Sequence, residues 1–508
     1  MLALVACGPP PVHPPASTQT RLAVLLVLDQ WPEWAFETKR PHLTNGGFER
    51  LLSEGAWSIG EHPSLATLTA PGHALLGSGA ATNQSGVLAN EWYHRELDQR
   101  LASVAAPDGA RTSQWSRVPG LGDSVTRAGG KAVAIALKDR SAILSLGHAG
   151  MPIWYDKKQV AWTSFEVPPW LVAHNAAHPI SVRIHEVWKP LDPALLATRS
   201  GIEDDGAGEL GEKRFGGVFP HDPDVTGDAA DAVFATPTGN EIAFEAALAA
   251  IAGEQLGTRA TPDLLVISLS AHDYVGHGWG HESWEMWDTE LRIDRELTRF
   301  LAALDQRVGV GNWSMIVTSD HGASPVPERI GKGGRLLYET VHDVAQHAAA
   351  SVLGDGAWIA DAKYPNVFFS AALAAKPAAV RDAVALQVRQ ELRALPGVAW
   401  VEPKASLGGH CETRTGTARA ICLGIDLERS GELIWMPAEH WITQDLDEPV
   451  ATGHGSIYPY DRRVPLILLA PGRTTHPPAT EPGELRSMTE VAPLLARWLR
   501  VTAPLELR

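Results

Sequence analysis

Five short, nearly unbroken apolar runs constrain the fold of this chain more than any other feature. They are Leu22–Leu28, Val133–Leu137, Leu264–Leu269, Met315–Thr318 and Val464–Ala470. A strand with one solvated face alternates polar and apolar residues, so a continuous run reads as a strand covered on both faces. None of the runs approaches the roughly 18 residues that a membrane span needs. Between them, Glu241–Glu254, Ser283–Asp305, Val380–Leu395 and Met488–Leu499 are apolar at helical spacing. The alternation predicts an α/β fold, with a central, mostly parallel sheet flanked by helices. Four of the runs lead into ionisable residues: Asp29, Lys138-Asp139-Arg140, Asp273 and Asp320-His321. In open α/β sheets ligands bind at that C-terminal edge.

Two stretches fit the alternation poorly. Residues 150–225 are rich in Trp, Pro and Gly, and residues 340–450 mix helix with short strands. Both read as insertions that form a cap, leaving 21–149, 226–339 and 451–508 as the core. The first carries Trp154, Trp162, Trp170 and Trp188. It either offers aromatic surface to a nucleoside or sugar or packs around its own small core. Residues 1–20 stand apart. Leu4-Val5-Ala6-Cys7-Gly8 has the small residues before a Cys that mark a lipidated signal, although it lacks a basic start and its apolar stretch is short. The Pro-rich segment that follows suits a tether. This predicts an exported protein, periplasmic or held at the outer membrane by a lipid on Cys7; the alternative is a chance Cys in a short apolar start. Cys411 and Cys422 flank a polar loop and could close a disulfide if the protein is exported, which the cysteines alone do not prove.

Composition removes several classes. The chain has 508 residues, 44% hydrophobic and 20% charged, which excludes a disordered or fibrous protein. With 43 basic and 59 acidic residues the formal charge is −16, which disfavours a nucleic-acid duplex as partner. A small anionic substrate stays compatible, because a site's local charge can oppose the global one.

The predicted edge gathers candidate metal ligands. Asp29, Asp273, His277, Asp320, His321 and His454 combine carboxylate and imidazole donors, the set that suits zinc or a similar divalent ion. Asp273 and His277 are four apart and share one face if the chain turns helically there. His454 stands in a glycine-flanked loop. Six ligands exceed one tetrahedral site and suit two ions. Each residue alone is better read as a turn former or cap; the convergence is what carries weight. Nearby His62, His73, His272 and His281 read as structural or supporting. In Thr67-Leu68-Thr69-Ala70-Pro71-Gly72, the Pro belongs in a first helical turn, which sets Thr69 at a helix N-terminus. Thr69 is then either an N-cap or a hydroxyl nucleophile beside a cation. Lys138 and Arg140 point to one face in an extended chain. They are a solvated charge pair or a clamp for a dianionic phosphoryl group.

The ordered set Asp29, Thr69-Ala70-Pro71-Gly72-His73, Asn90, Lys138-x-Arg140, Asp273-x-x-x-His277, Asp320-His321-Gly322 and His454-Gly455-Ser456 resembles the alkaline phosphatase superfamily. Within it the chain is similar to the phosphate-irrepressible alkaline phosphatases, which use a Thr nucleophile. The resemblance runs from Arg21 to Gly472 and into the final helix. It implies an alkaline phosphatase-like fold and two zinc ions, other divalent ions being possible occupants. Asp273, His277 and His454 would hold the first, and Asp29, Asp320 and His321 the second, with Thr69 bound to it. It implies a phospho-threonine intermediate, with Asn90, Lys138 and Arg140 on the transferred group and a preference for monoesters. Small phosphorylated metabolites would be the partners of a monomeric enzyme.

Two rivals remain at this level. A phosphodiesterase or nucleotide pyrophosphatase shares the metal ligands but lacks the Lys/Arg pair. A surface lipoprotein that binds metal or phosphate without turnover needs no Thr69. No Cys-x-Pro-x-Arg marks a sulfatase nucleophile.

Overall fold

The computed structural model describes residues 20–471 and 484–507; Cys7 and the Pro-rich segment after it lie outside them. The apolar runs assemble into one nine-stranded sheet. Its strands in chain order are β1 (Leu22–Leu28), β2 (Ala56–Glu61), β3 (Ala132–Ala136), β4 (Met151–Asp156), β5 (Ala161–Ser164), β6 (Asp263–Leu269), β7 (Trp313–Thr318), β8 (Arg463–Leu469) and β9 (Leu485–Ser487). Their spatial order is β9-β2-β8-β7-β1-β6-β3-β4-β5. The five central-to-right strands β7, β1, β6, β3 and β4 are mutually parallel. The run at Val464–Ala470 enters the sheet antiparallel, as β8 between β7 and β2.

Alternation explains why β1 must be apolar throughout. Leu22, Val24, Leu26 and Leu28 pack into one core, while Ala23, Leu25 and Val27 pack into another on the opposite face. Helices cover both faces: α1 (Thr69–Ser78), α2 (Asp139–Leu146), α3 (Pro237–Glu254), α4 (Ser270–Trp279), α5 (Trp284–Arg307) and, near the C-terminus, α8 (Val491–Leu499). Between them in sequence, α6 (Tyr338–Leu353) and α7 (Ala378–Ala394) belong to a second lobe. That lobe has its own four-stranded antiparallel sheet, from Ile359–Asp361, Asn366–Phe369, Leu433–Pro437 and Val398–Pro403, and its own apolar cluster around Trp435, Tyr364 and Val384.

The segment 150–225 is not wholly an insertion. Its first part supplies β4 and β5, which extend the central sheet at one edge. Pro152 and the tryptophans disguise these strands, but Ile153, Tyr155 and Trp162 point into the main core. Trp162, Trp170 and Trp188 are packing residues. Trp188 lies in a buried cluster with Trp279 and donates to Asp288 Oδ2 at 2.7 Å. Trp170 packs against the helix α3 and donates to Glu254 Oε1 at 2.7 Å.

Candidate active site

Register builds the site. Leu28 pairs with Leu269 on one side and Val27 with Thr318 on the other, while Ala136 pairs with Ser268. Four parallel strands therefore end level, and the residues just beyond them, Asp29, Lys138, Asp273 and Asp320, meet at one edge.

α4 starts directly after β6, so Asp273 and His277 sit one turn apart, with His277 Nε2 3.3 Å from Asp273 Oδ1. His454 Nε2 reaches the same oxygen at 3.6 Å. These three atoms form one close donor group; Asp29, Asp273 and His321 form another, so Asp273 lies between the two. Asp320 stands beside the second group, with Oδ2 3.4 Å from His321 Nε2. His321 Nε2 is 3.5 Å from Asp29 Oδ1, and its ring stacks on His454 with centroids 3.7 Å apart. All six sequence-predicted ligands thus converge.

Backbone carbonyls fix the three imidazoles. His277 Nδ1 faces Thr452 O at 2.8 Å, His454 Nδ1 faces Thr67 O at 2.8 Å, and His321 Nδ1 faces Gly322 O at 3.1 Å. A carbonyl only accepts, so each Nδ1 carries the proton and each Nε2 lone pair faces the centre, as metal-binding histidines require. Asp29 Oδ1 and Asp320 Oδ2 are buried without a hydrogen-bond partner. Orphaned buried carboxylate oxygens are costly unless a cation completes them. Three carboxylates and three imidazoles fit two zinc-like ions. Burial first, then the charge of Asp320, drives the Asp29 carboxyl well above its ordinary range. Burial works the same way on Asp320, but the His321 and His73 rings and Lys138 outweigh it and hold that carboxyl low.

Thr69 is the first residue of α1, where the helix dipole favours an anion. Leu68 occupies the cap position, so Thr69 is not the N-cap. Its Oγ1 is 3.5 Å from His321 Nε2. Gly72 lets the helix start abut the Asp320 corner: a Cβ there would collide with the Asp320 carbonyl oxygen. Asn90 Oδ1 accepts from the Ala70 N–H at 2.8 Å, which leaves its amide N–H groups free to donate.

The Lys138/Arg140 pair departs from expectation. Lys138 precedes α2 and Arg140 lies in its first turn, so the two are not on an extended strand. The Asp139 carboxylate accepts from the Arg140 N–H at 2.7 Å and favours the early helical turn. Lys138 Nζ bridges Asp29 Oδ2 at 2.7 Å and Asp273 Oδ2 at 2.6 Å. Burial opposes its charge, yet the two carboxylates raise its pKa. Arg140 keeps a buried, unpartnered Nε. Of the two, Arg140 has the donor available for a ligand.

Two neighbours were missed in the sequence. Gln30 follows Asp29 and donates to Asp273 Oδ1 at 2.8 Å. Tyr274 follows Asp273, and its ring lies near Lys138 and Lys213 at 5.0 and 5.1 Å. Adjacency to a strand-end Asp is the signal that finds both.

A doubly wound sheet whose C-terminal edge carries two carboxylate–imidazole groups beside a helix-terminal threonine defines an alkaline phosphatase-type hydrolase of phosphoesters. Residues 23–456 match the sequence model of the type I phosphodiesterase / nucleotide pyrophosphatase family, and the chain belongs to that family within the alkaline phosphatase superfamily. Alkaline phosphatase PafA of Elizabethkingia meningoseptica is 27% identical over 521 residues, covering 96% of this chain and 93% of the relative. Alkaline phosphatase PhoV of Synechococcus elongatus is 31% identical over 364 residues, covering 66% of this chain and 65% of the relative. The crystal structure of PafA superposes with a TM-score of 0.85 at 24% identity, covering 98% of both chains, which shows a shared fold.

Proposed function

We propose that this chain hydrolyses phosphate monoesters at a two-zinc centre, through a phospho-threonine intermediate on Thr69. The observation that carries the reading is Thr69 Oγ1 at the start of α1, 3.5 Å from Nε2 of His321, a member of the second donor group. Asp273, His277 and His454 would hold one ion and Asp29, Asp320 and His321 the other. Bound zinc would lower the pKa of the hydroxyl and neutralise charge on the attacking and leaving oxygens.

The chain's own residues account for the rest. The Thr69 N–H at the start of α1 and the Asn90 amide bind the phosphoryl oxygens, and Arg140 supplies a guanidinium fork. Thr69 Oγ1 gives up its proton to solvent and forms a bond to phosphorus as the bond to the leaving oxygen breaks, and the leaving oxygen is protonated from solvent. Water then displaces Thr69, releasing phosphate and restoring the hydroxyl. A monoester brings about two negative charges and a diester one, so the cations at 138 and 140 favour the monoester. The family match keeps a diester or pyrophosphate substrate as the second reading.

Small phosphorylated metabolites are the substrates we propose for an exported, monomeric enzyme capped by the second lobe. The Cys411–Cys422 disulfide supports export, because such bonds persist in oxidising compartments. Turnover of an aryl phosphate and of a diester with the same leaving group tests the assignment. Thr69→Ala is expected to lower monoester turnover by roughly 10³-fold or more. Undiminished turnover in that variant removes the nucleophile. A diester preference that persists in Arg140→Ala overturns the substrate class.

A further inference from the structure

Gln30 touches both halves of the centre. Its backbone N–H points at Asp320 Oδ1, 3.3 Å away. Its side-chain Nε2 donates to Asp273 Oδ1 at 2.8 Å and lies 3.2 Å from His277 Nε2. Its Oε1 faces His281 Nε2 at 3.0 Å. The orientation of this amide is determined. His281 is buried and its Nδ1 has no partner, so its proton sits on Nε2, where the Gln30 oxygen accepts it. The Gln30 NH2 must then face Asp273.

Two further features hold Gln30 in place. It adopts a left-handed backbone, φ 62°, which a side-chain-bearing residue keeps only when its surroundings over-determine it. Gly276 on α4 makes room for its amide: a Cβ there would collide with Gln30 Oε1.

Asp273 Oδ1 is the oxygen that both His277 and His454 face, so it is the donor atom of the first half-site. Oδ2 of the same carboxylate is held by Lys138. We propose that Gln30, held by His281, is a positioning residue that fixes Asp273 Oδ1 for the first ion and, through its N–H, steadies the second-site ligand Asp320. The inference rests on the two-ion reading above. The amide donates to one lone pair of Oδ1 and leaves another for the cation. Loss of that bond should fall mainly on the ion held by Asp273, His277 and His454, because Gln30→Met keeps the backbone N–H that faces Asp320.

The test uses the full chain stripped of metal and titrated with Co2+ against a chromophoric chelator, with the cobalt spectrum and the melting temperature of the stripped protein as readouts. Wild type is expected to take two ions. Gln30→Met, which keeps the length and volume but cannot donate, should weaken one ion by about 10- to 100-fold and leave the other near its wild-type affinity. The melting temperature of the stripped variant should stay near that of wild type, which a purely structural role would not give. His281→Phe, which frees the amide to turn, should weaken the same ion and stands in if Gln30→Met does not fold. Two ions bound as tightly as in wild type by either folded variant overturn the role of Gln30 alone. A wild type that takes fewer than two ions overturns the two-ion reading and this inference with it.

Discussion

Single side chains decide whether this centre works, and they do so by what they leave unpaired. Arg140 is not tied to a carboxylate across the site as Lys138 is, so its removal should cost binding of the transferred group and little else. Arg140→Ala is expected to lower monoester kcat/KM by about 10²-fold, the scale of one lost charge-stabilising donor, while diester kcat/KM falls less. Equal losses on both substrates would show that the guanidinium does not read phosphoryl charge. Lys39 is a contrasting case. Its ammonium is 2.8 Å from Glu290 Oε1 with both side chains about 1% exposed, beneath His272 and Asp29. Lys39→Met strands a buried carboxylate and should destabilise the fold by about 3–5 kcal/mol, read by urea unfolding. The candidate ligands were legible in the sequence because carboxylates and imidazoles at strand ends are chemically conspicuous. Gln30 was not, since an amide neither titrates nor marks a motif.

At the level of elements, the level ends of β1, β3, β6 and β7 place Asp29, Lys138, Asp273 and Asp320, and the start of α1 places Thr69. That helix approaches so closely that only a residue without a Cβ fits at position 72. Gly72→Ala should destabilise by about 1–3 kcal/mol through overpacking against backbone. It should also lower turnover out of proportion to that loss, because the shift moves Thr69; wild-type turnover in the folded variant would show that α1 has room to spare. The buried parallel strands could be read from their apolar runs. The direction of β8 could not, because a continuous run looks the same in either sense. β4 and β5 were obscured because Trp154, Pro152 and Trp162 break the aliphatic pattern, although the core absorbs aromatic rings as readily. The extended geometry expected of Lys138 and Arg140 failed because the run ends one residue sooner and Asp139 helps turn the chain into α2.

For the molecule as a whole, two bound cations would act as ligands of the native state alone, since an unfolded chain holds its six donors apart. Stripping the protein with a chelator should abolish turnover and lower the melting temperature, with both restored by zinc. At 100-fold excess of free ion over its dissociation constant, each site adds about 2.7 kcal/mol. Acid should release the ions as the imidazoles take up protons, so activity and melting temperature should fall together as pH drops. A melting temperature indifferent to chelation would mean that the centre holds no ion.

The donors that gather around Asp273 come from residue 29 at one extreme and residue 454 at the other, and the last of them is seated only when Thr67 O and the Ala451–His277 contact are in place. A ribosome must therefore deliver most of the polypeptide before the centre can exist. On the two-ion reading, a product that stops short of His454 would be inert, and a cut chain that cannot hold the loop at 451–456 would lose its chemistry even if the large sheet survives.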